Sequence, residues 1–368
     1  MFAKQFMQLA IQLAKAAQGQ TSPNPSVGAV LVKNNQVVGV GTHLFAGSEH
    51  AEIHAINMAG KLAKGATLYV TLEPCVHFGK TPPCTSSIIN AGIKSVVIAT
   101  LDVNPKVAGS GVIALRNAGI NVEVGLLENE AKKINQAFFY YIEHKLPYIT
   151  LKAGVSLDSK LATKTGESKW ITNAKSRSDA YYLRHIHDAI LVGIDTVLAD
   201  NPSLTTKIEG GGRNPVRIIL DTHLRIPLNA AVVIDEQSPT WIIVGSAVSQ
   251  ELILPYLAYP KVQIIQLAQP IISLHELLAE LGAREITSVL VEGGNKVLSS
   301  FIQAKLVNQL VLYISPMLIG GASAPALFEN DGFSSLAQAL KLEFTDTELL
   351  DGNLKIIAKV KNNDSVVD

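Results

Sequence analysis

The first periodic stretch lies at the N-terminus, where Phe2, Phe6, Leu9 and Leu13 recur at helical spacing among Lys4, Gln5, Gln8, Gln12 and Lys15. That pattern predicts an amphipathic surface helix. Its polar residues interrupt any apolar core, so the stretch is not expected to act as a secretion signal. Beyond it, "VGAVLVKNNQVVGVGTH" reads as two strands turning at Asn34-Asn35. A helix is expected from Ala51 to Ala63. "ATLYVTLEP" reads as a strand, "TSSIINAG" as a short helix ending in Gly92, and "KSVVIATL" as another strand. "GVIALRNAG" follows as a helix with Gly119 at its C-cap, then "INVEVGL" as a strand. "ENEAKKINQAFFYYIEH" reads as one long helix, stopped at Lys145-Leu146-Pro147. A hairpin followed by alternating strands and helices implies a mixed sheet covered by helices.

Pro147 marks the expected domain boundary, giving domains 1–146 and 147–368. The second half opens with the strand "YITLKAGVSLD" and runs through "DAILVGIDTVLAD", "VRIILD", "TWIIVG", "VQIIQL" and "SVLVEGG", with helical stretches between several of them. It closes on "LEFTDTELLDGNLKIIAKV", a hairpin turning at Asp351-Gly352. This half is also α/β, with an antiparallel end. "EGGGRNP" reads as an exposed loop.

Composition narrows the class. A chain of 368 residues that is 48% apolar and 17% charged forms sizeable cores, not long disorder. Lys+Arg and Asp+Glu balance at 31 each, so no basic footprint exists for nucleic acid or an anionic membrane, although a local pocket for one phosphate is compatible with it. No apolar run approaches the roughly 20 residues that span a bilayer. Only Cys75 and Cys84 are present. Two cysteines exclude a disulfide scaffold and point to a reducing, cytoplasmic setting.

Both cysteines fall within "PCVHFGKTPPC". Two unrelated buried cysteines would be the plain alternative. Against it, Cys75 follows a strand and Cys84 precedes a helix, where partial positive charge favours a thiolate. His50 stands at the start of the preceding helix. One imidazole and two thiolates leave a fourth tetrahedral position open, as catalytic zinc requires. Glu52 can then carry a proton without ligating the metal. His50-Ala51-Glu52 with Pro74-Cys75 matches the H-x-E…P-C signature of zinc deaminases, although the second thiol comes nine positions after the first. His54, one turn after His50, lacks the H-E-x-x-H pattern and reads as a packing or surface residue. Glu49 reads as a solvated charge. His77 reads as a loop residue, since a fourth ligand would close the site.

Taken together, "TSPNPSVGAVLV", "HAEIHAI", "GATLYVTLEPC", "GKTPPC", "DVNPKVAGSG", "LKAGVSLD", "GESKWIT", "DTVLADNPSLT" and "VEGGN" resemble the bifunctional riboflavin-biosynthesis deaminase–reductases. The resemblance runs across both halves of the chain. It implies a cytidine-deaminase-like α/β/α domain with a mixed sheet, followed by a dihydrofolate-reductase-like α/β domain. The first would hydrolyse an amino group from a diaminopyrimidinone ribosylamine phosphate. The second would use NADPH to turn ribosyl into ribityl. By the same resemblance, His50, Cys75 and Cys84 hold one Zn2+ and Glu52 shuttles the proton. Asn24, His43 and Lys80 line the pyrimidine pocket, and Asn104 lies near the phosphate end. In the reductase, Ser168, Arg184, Leu204 and Glu292 match substrate positions, with Lys207 near them. Gly154, Trp170, Thr196, Asp200, Thr222 and the run Gly294, Asn295, Lys296, Val297, Leu298, Ser299 and Ser300 match cofactor positions. Lys152 is a candidate polar group near the reacting sugar, with a structural ion pair as the alternative. The chain departs from the family pattern at Val76, Phe78 and Ser159, the last where glycine is usual.

The expected partner is a small phosphorylated pyrimidine, without nucleic acid or membrane, and a homo-oligomer is expected. Two other classes fit parts of the pattern. A nucleic-acid base deaminase with an accessory domain conflicts with the neutral charge and the long cysteine gap. A structural zinc module conflicts with Glu52 and the open fourth position.

Overall fold

Helix α1 (Phe2–Ala16) buries Met7, Ala10, Ile11 and Ala14, whereas Phe2 is exposed and Phe6, Leu9 and Leu13 pack only at the margin of the core. The larger apolar residues therefore do not face the core as their spacing suggested. The reason is close approach: a Cβ on Gly28 would stand 2.0 Å from the Ala10 carbonyl oxygen. Small residues let the helix lie directly on the sheet. These features come from a computed structural model that describes residues 2–76, 82–104, 108–329 and 332–361. The chain divides into two compact units, Met1–Lys145 and Leu146–Asp368, so Leu146 joins the second.

In the first unit, β1 (Gly28–Lys33) and β2 (Gln36–Thr42) form the expected hairpin, with Asn34 and Asn35 at φ 50° and 61°. Asparagine tolerates this left-handed turn better than most residues. The helical stretch splits into α2 (Ala51–Ala59) and a 3-10 turn over Gly60–Ala63. Then follow β3 (Thr67–Leu72), α3 (Cys84–Asn90), β4 (Ser95–Thr100), α4 (Ser110–Asn117) and β5 (Asn121–Val124). The sheet order is β2-β1-β3-β4-β5; β2, β1 and β3 pair antiparallel, and β3, β4 and β5 parallel. Helix α2 presses on the hairpin through Gly39 and Gly41, where a Cβ would meet the Ala55 and Ala51 carbonyl oxygens at 2.2 and 2.1 Å.

The single long helix expected after β5 is two, α5 (Glu128–Ile134) and α6 (Gln136–His144). Asn135 breaks it. Its side chain accepts from the Ser26 amide at 2.8 Å and donates to the Ser26 carbonyl at 2.9 Å, a buried pairing that a continuous helix would not position. Asn135→Ala would leave both Ser26 groups without partners in the interior, at an expected cost of about 2 kcal/mol or more. Urea unfolding measures it, and a change below about 0.5 kcal/mol would contradict this account of the break.

The second unit comprises β6 (Tyr148–Ser156), α7 (Ala174–Ile186), β7 (Ala189–Gly193), α8 (Ile194–Asp200), β8 (Val216–Leu220), α9 (Ala231–Ile234), β9 (Thr240–Val244), α10 (Gln250–Ile253), β10 (Val262–Gln266), α11 (Leu274–Ala283), β11 (Ser288–Gly293), α12 (Asn295–Gln303), β12 (Gln309–Ser315), β13 (Leu342–Leu350) and β14 (Asn353–Val360). Its sheet order is β10-β9-β8-β7-β11-β6-β12-β14-β13, parallel except where β14 pairs with β12 and β13. The final hairpin turns at Asp351 (φ 51°) and Gly352 (φ 89°), as the pattern indicated. Central strands such as β7 are buried throughout and read as continuous apolar runs, as parallel strands covered on both faces do. Ser159 takes φ 61°, a left-handed conformation that glycine enters without Cβ strain. Among the described residues, no helix is long and apolar enough to cross a membrane.

Candidate active sites

In the first unit, three elements bring together residues that are far apart in sequence. His50 is the N-cap residue of α2, and Cys75 lies just beyond β3. Cys84 is the first residue of α3, one step further into the helix than the sequence suggested. The His50 Nδ1 atom is 3.1 Å from Cys84 Sγ and 3.7 Å from Cys75 Sγ, and all three donor atoms lie within 4.8 Å of one another. Tetrahedral zinc with these ligands has donor–donor edges of roughly 3.5–3.8 Å, so the donor set fits the ion. The Cys84 amide donates to Cys75 Sγ at 3.4 Å. The hydrogen bond between the sulfurs pulls Cys75 down to about 4, and the same bond with burial pushes Cys84 up. A bound cation would hold both sulfurs as thiolates.

Glu52 sits in the first turn of α2 and is 3% exposed. Burial raises its carboxyl pKa, with His50 working in the opposite direction. A carboxyl kept out of water beside the ligand cluster is suited to accept and return a proton. His43 is buried, with Nε2 3.1 Å from Asn24 Nδ2 and Nδ1 3.2 Å from the Glu49 carbonyl oxygen. Its ring meets the His50 ring edge-on at 5.3 Å. Asn24 also forms a turn through its amide to the Thr21 carbonyl at 2.9 Å, so it carries both a local and a pocket contact. His54 is outside the metal cluster, with Nδ1 3.9 Å from Glu49 Oε2. Lys80, His77 and Phe78 lie outside the described residues.

Glu73 is the residue that sequence reading missed. It is 4% exposed and accepts from the amides of Asp102, Gly109 and Val112 at 3.3, 2.9 and 3.1 Å. It thereby fastens the segment containing Asn104 to the end of β3, two residues before Cys75. An acidic residue closing the apolar run "TLYVTL" was the available signal.

In the second unit, Lys152 on β6 and Glu292 on the adjacent β11 are 3.0 Å apart. Arg184, from α7, grips the same carboxylate through Nε and Nη2 at 2.8 Å each, and its Nη1 donates to the Thr205 carbonyl at 2.9 Å. That last bond draws in the segment of Leu204, which is buried with φ 52°. The Arg184 guanidinium, which matches a substrate position, is thus engaged bidentately within the protein. Burial alone would push Glu292 up, but Arg184 and Lys152 hold it well below the usual carboxylate range. Lys207 and Ser168 are exposed. Stability follows with a definite sign: a depressed carboxyl pKa contributes above the unfolded value and is lost only as pH falls through the lower folded value. The stability difference between the parent and Glu292→Gln is therefore expected to be flat from about pH 8 to 5 and to shrink below about pH 4. Denaturant titrations across that range measure it; shrinkage already at neutral pH would contradict the depressed value.

Of the expected cofactor residues, Gly154, Thr196, Thr222 and Gly294 lie at or just after the carboxyl ends of β6, β7, β8 and β11, where open α/β sheets bind ligands. Gly294 separates β11 from α12, and its amide donates to Thr196 Oγ1 at 2.9 Å. Apart from Thr196 Oγ1 at 3.6 Å, no neighbour stands within 4 Å of where a Gly294 Cβ would be. The backbone is thus open to a phosphate at the start of a nine-residue helix, which fits a dinucleotide. On α12, Asn295 donates to Glu329, Ser300 Oγ to the Lys296 carbonyl, and the Glu329 amide to Ser299 Oγ. Leu298 is a core residue, and Val297 packs partly buried against that core. A Cβ on Gly154 would stand 3.0 Å from Thr172 Cγ2. Trp170 is 68% exposed, with the Arg177 guanidinium 4.3 Å from its ring centre. Asp200 ends α8 and is exposed; Thr222 follows β8 and is half-buried.

Comparison with known proteins places each half of the chain in a family. Residues 2–100 match the cytidine and deoxycytidylate deaminase zinc-binding region, and residues 147–356 the RibD C-terminal domain. The riboflavin biosynthesis protein RibD of Bacillus amyloliquefaciens is 48% identical over 97% of this chain and 96% of its own. That of Aquifex aeolicus is 46% identical over 97% and 98%. Among solved structures, RibD of Acinetobacter baumannii superposes with a TM-score of 0.87 at 39% identity, covering 98% of this chain and 99% of that one. The Thermotoga maritima diaminohydroxyphosphoribosylaminopyrimidine deaminase/5-amino-6-(5-phosphoribosylamino)uracil reductase reaches 0.88 at 38% identity with the same coverage. With such relatives along nearly its whole length, the chain belongs to the bifunctional riboflavin-biosynthesis deaminase–reductase family.

Proposed function

We propose a division of labour between the two units. The protein is a bifunctional enzyme of riboflavin biosynthesis, a zinc-dependent deaminase and an NADPH-dependent reductase acting on a small pyrimidine. In our reading, deamination belongs to residues 1–146 and reduction to residues 147–368. The first removes the amino group of a diaminopyrimidinone ribosylamine phosphate; the second reduces the ribosyl group of the product to ribityl. The observation that carries the reading is the convergence of His50, Cys75 and Cys84 beside the buried Glu52.

His50, Cys75 and Cys84 would hold the zinc, which when bound would lower the pKa of a water and stabilise negative charge on its oxygen as it attacks the amino-bearing carbon. Glu52 takes a proton from the attacking water and delivers it to the departing amine, so that ammonia leaves neutral. His43 and Asn24, joined to each other, orient the ring. Asn104 serves the phosphate end of the substrate. In the second unit, the strand-to-helix turn at Gly294 and the residues to Ser300 receive the cofactor, with Gly154, Trp170, Thr196, Asp200 and Thr222 along its path. NADPH supplies hydride. Lys152, fixed by Glu292, faces the sugar as a charged donor. Arg184 holds Glu292 and the Leu204 segment, and Ser168 and Lys207 bind the outer part of the substrate.

Elemental analysis tests the metal assignment. Cys75→Ser and Cys84→Ser should each lose zinc, and full occupancy in both would overturn the ligand set.

The reading includes a homo-oligomer without nucleic acid. The edge strand β13 exposes Phe344 and Leu349 (71% and 74%), surface that self-association would cover. Balanced charge speaks against a nucleic-acid partner. Light scattering giving a monomer at all concentrations would refute the assembly.

A further inference from the structure

The reductase reading leaves open what distinguishes NADPH from NADH, and the sheet offers an answer that rests on that reading. The reacting end of the cofactor belongs beside Lys152 and Glu292, on β6 and β11. The phosphate-accepting start of α12 follows β11. The adenosine half then continues away from β6, over β7 and β8. Neighbouring strands are about 4.8 Å apart, so β6 to β8 spans roughly 14 Å, within reach of an extended dinucleotide.

At the end of β8, Asp221 is fully buried, and its Oδ2 accepts from the Ile226 amide at 2.8 Å. A carboxylate presented at this kind of position grips a free ribose 2′-hydroxyl and repels a phosphate. Here it is turned inward and closes a turn, with the Leu224 amide donating to the Asp221 carbonyl at 3.0 Å. The turn presents Arg225 instead, with Nη2 2.7 Å from Asp195 Oδ1 at the start of α8. Lys296, in the first turn of α12, stands 3.9 Å from the other Asp195 oxygen. Two cations therefore flank the exposed Asp195 carboxylate, while the Asp221 carboxylate that also acts on Arg225 is buried behind them. Both cations are accessible, with side chains 48% and 78% exposed.

We infer that Arg225, with Lys296, receives the 2′-phosphate of NADPH, and that Asp195 holds Arg225 in place until it binds. An exposed arginine–aspartate pair is weak enough to yield to a dianion, and the guanidinium fork suits phosphate oxygens. The test is calorimetric titration of the full-length protein with NADPH and with NADH. Arg225→Ala is expected to weaken NADPH about tenfold or more and NADH less than about twofold. Lys296→Ala, on a different element, should shift the same preference in the same direction, so a defect confined to the turn cannot mimic the result. Equal weakening of both nucleotides, or no change in NADPH, would overturn the inference. If the parent protein bound neither nucleotide, the reductase reading itself would fall, and this inference with it.

Discussion

Glu52→Gln is expected to slow ammonia release by on the order of 10²–10⁴-fold while leaving zinc content unchanged. Glutamine nearly matches glutamate in shape but cannot accept the water's proton. Glu52 is buried, so no solvent base stands ready to replace it. The candidate metal ligands are His50, Cys75 and Cys84, and the substitution leaves all three donor atoms in place. Activity within about threefold of the parent, with zinc retained, would show that another group moves the proton.

Glu292→Ala is expected to destabilise the second unit by about 3–5 kcal/mol and to abolish reduction. Its carboxylate is gripped by Arg184 and held by Lys152, and all three side chains are largely buried. Removing it strands two positive charges away from water. A triple variant with Lys152→Met, Arg184→Met and Glu292→Leu separates structure from chemistry. It should recover most of the stability, because apolar side chains replace the whole charged set, but none of the NADPH oxidation. Urea unfolding and an absorbance assay read the two effects. A folded triple variant that still reduces substrate would remove Lys152 and Glu292 from the reaction.

Local turn chemistry made parts of the fold legible. Asn34-Asn35 and Asp351-Gly352 marked both hairpins because their residue types suit positive φ. The candidate metal cluster was legible because only two cysteines exist, and they bracket one loop. What the sequence hid depends on non-local partners. Asn135 looks like any polar helix residue until Ser26 is placed against it, 109 positions away. Arg184 matched a substrate position, and its engagement by Glu292, 108 positions later, needed the two brought together by the fold. The insertion of β11 between β7 and β6 is a matter of sheet order, which no local period encodes. Likewise, the small-residue face of α1 is buried because Gly28 lies under it, a fact absent from the helix's own pattern.

The central claim is that two independent active sites lie on one chain. The most direct measurement supplies the already deaminated ribosyl substrate to folded, zinc-replete Glu52→Gln protein and follows NADPH oxidation. The expected result is a rate equal to that of the parent, from a protein that no longer releases ammonia from the diamino substrate. A protein that is intact by thermal melting yet cannot oxidise NADPH would contradict the claim and require one shared active site.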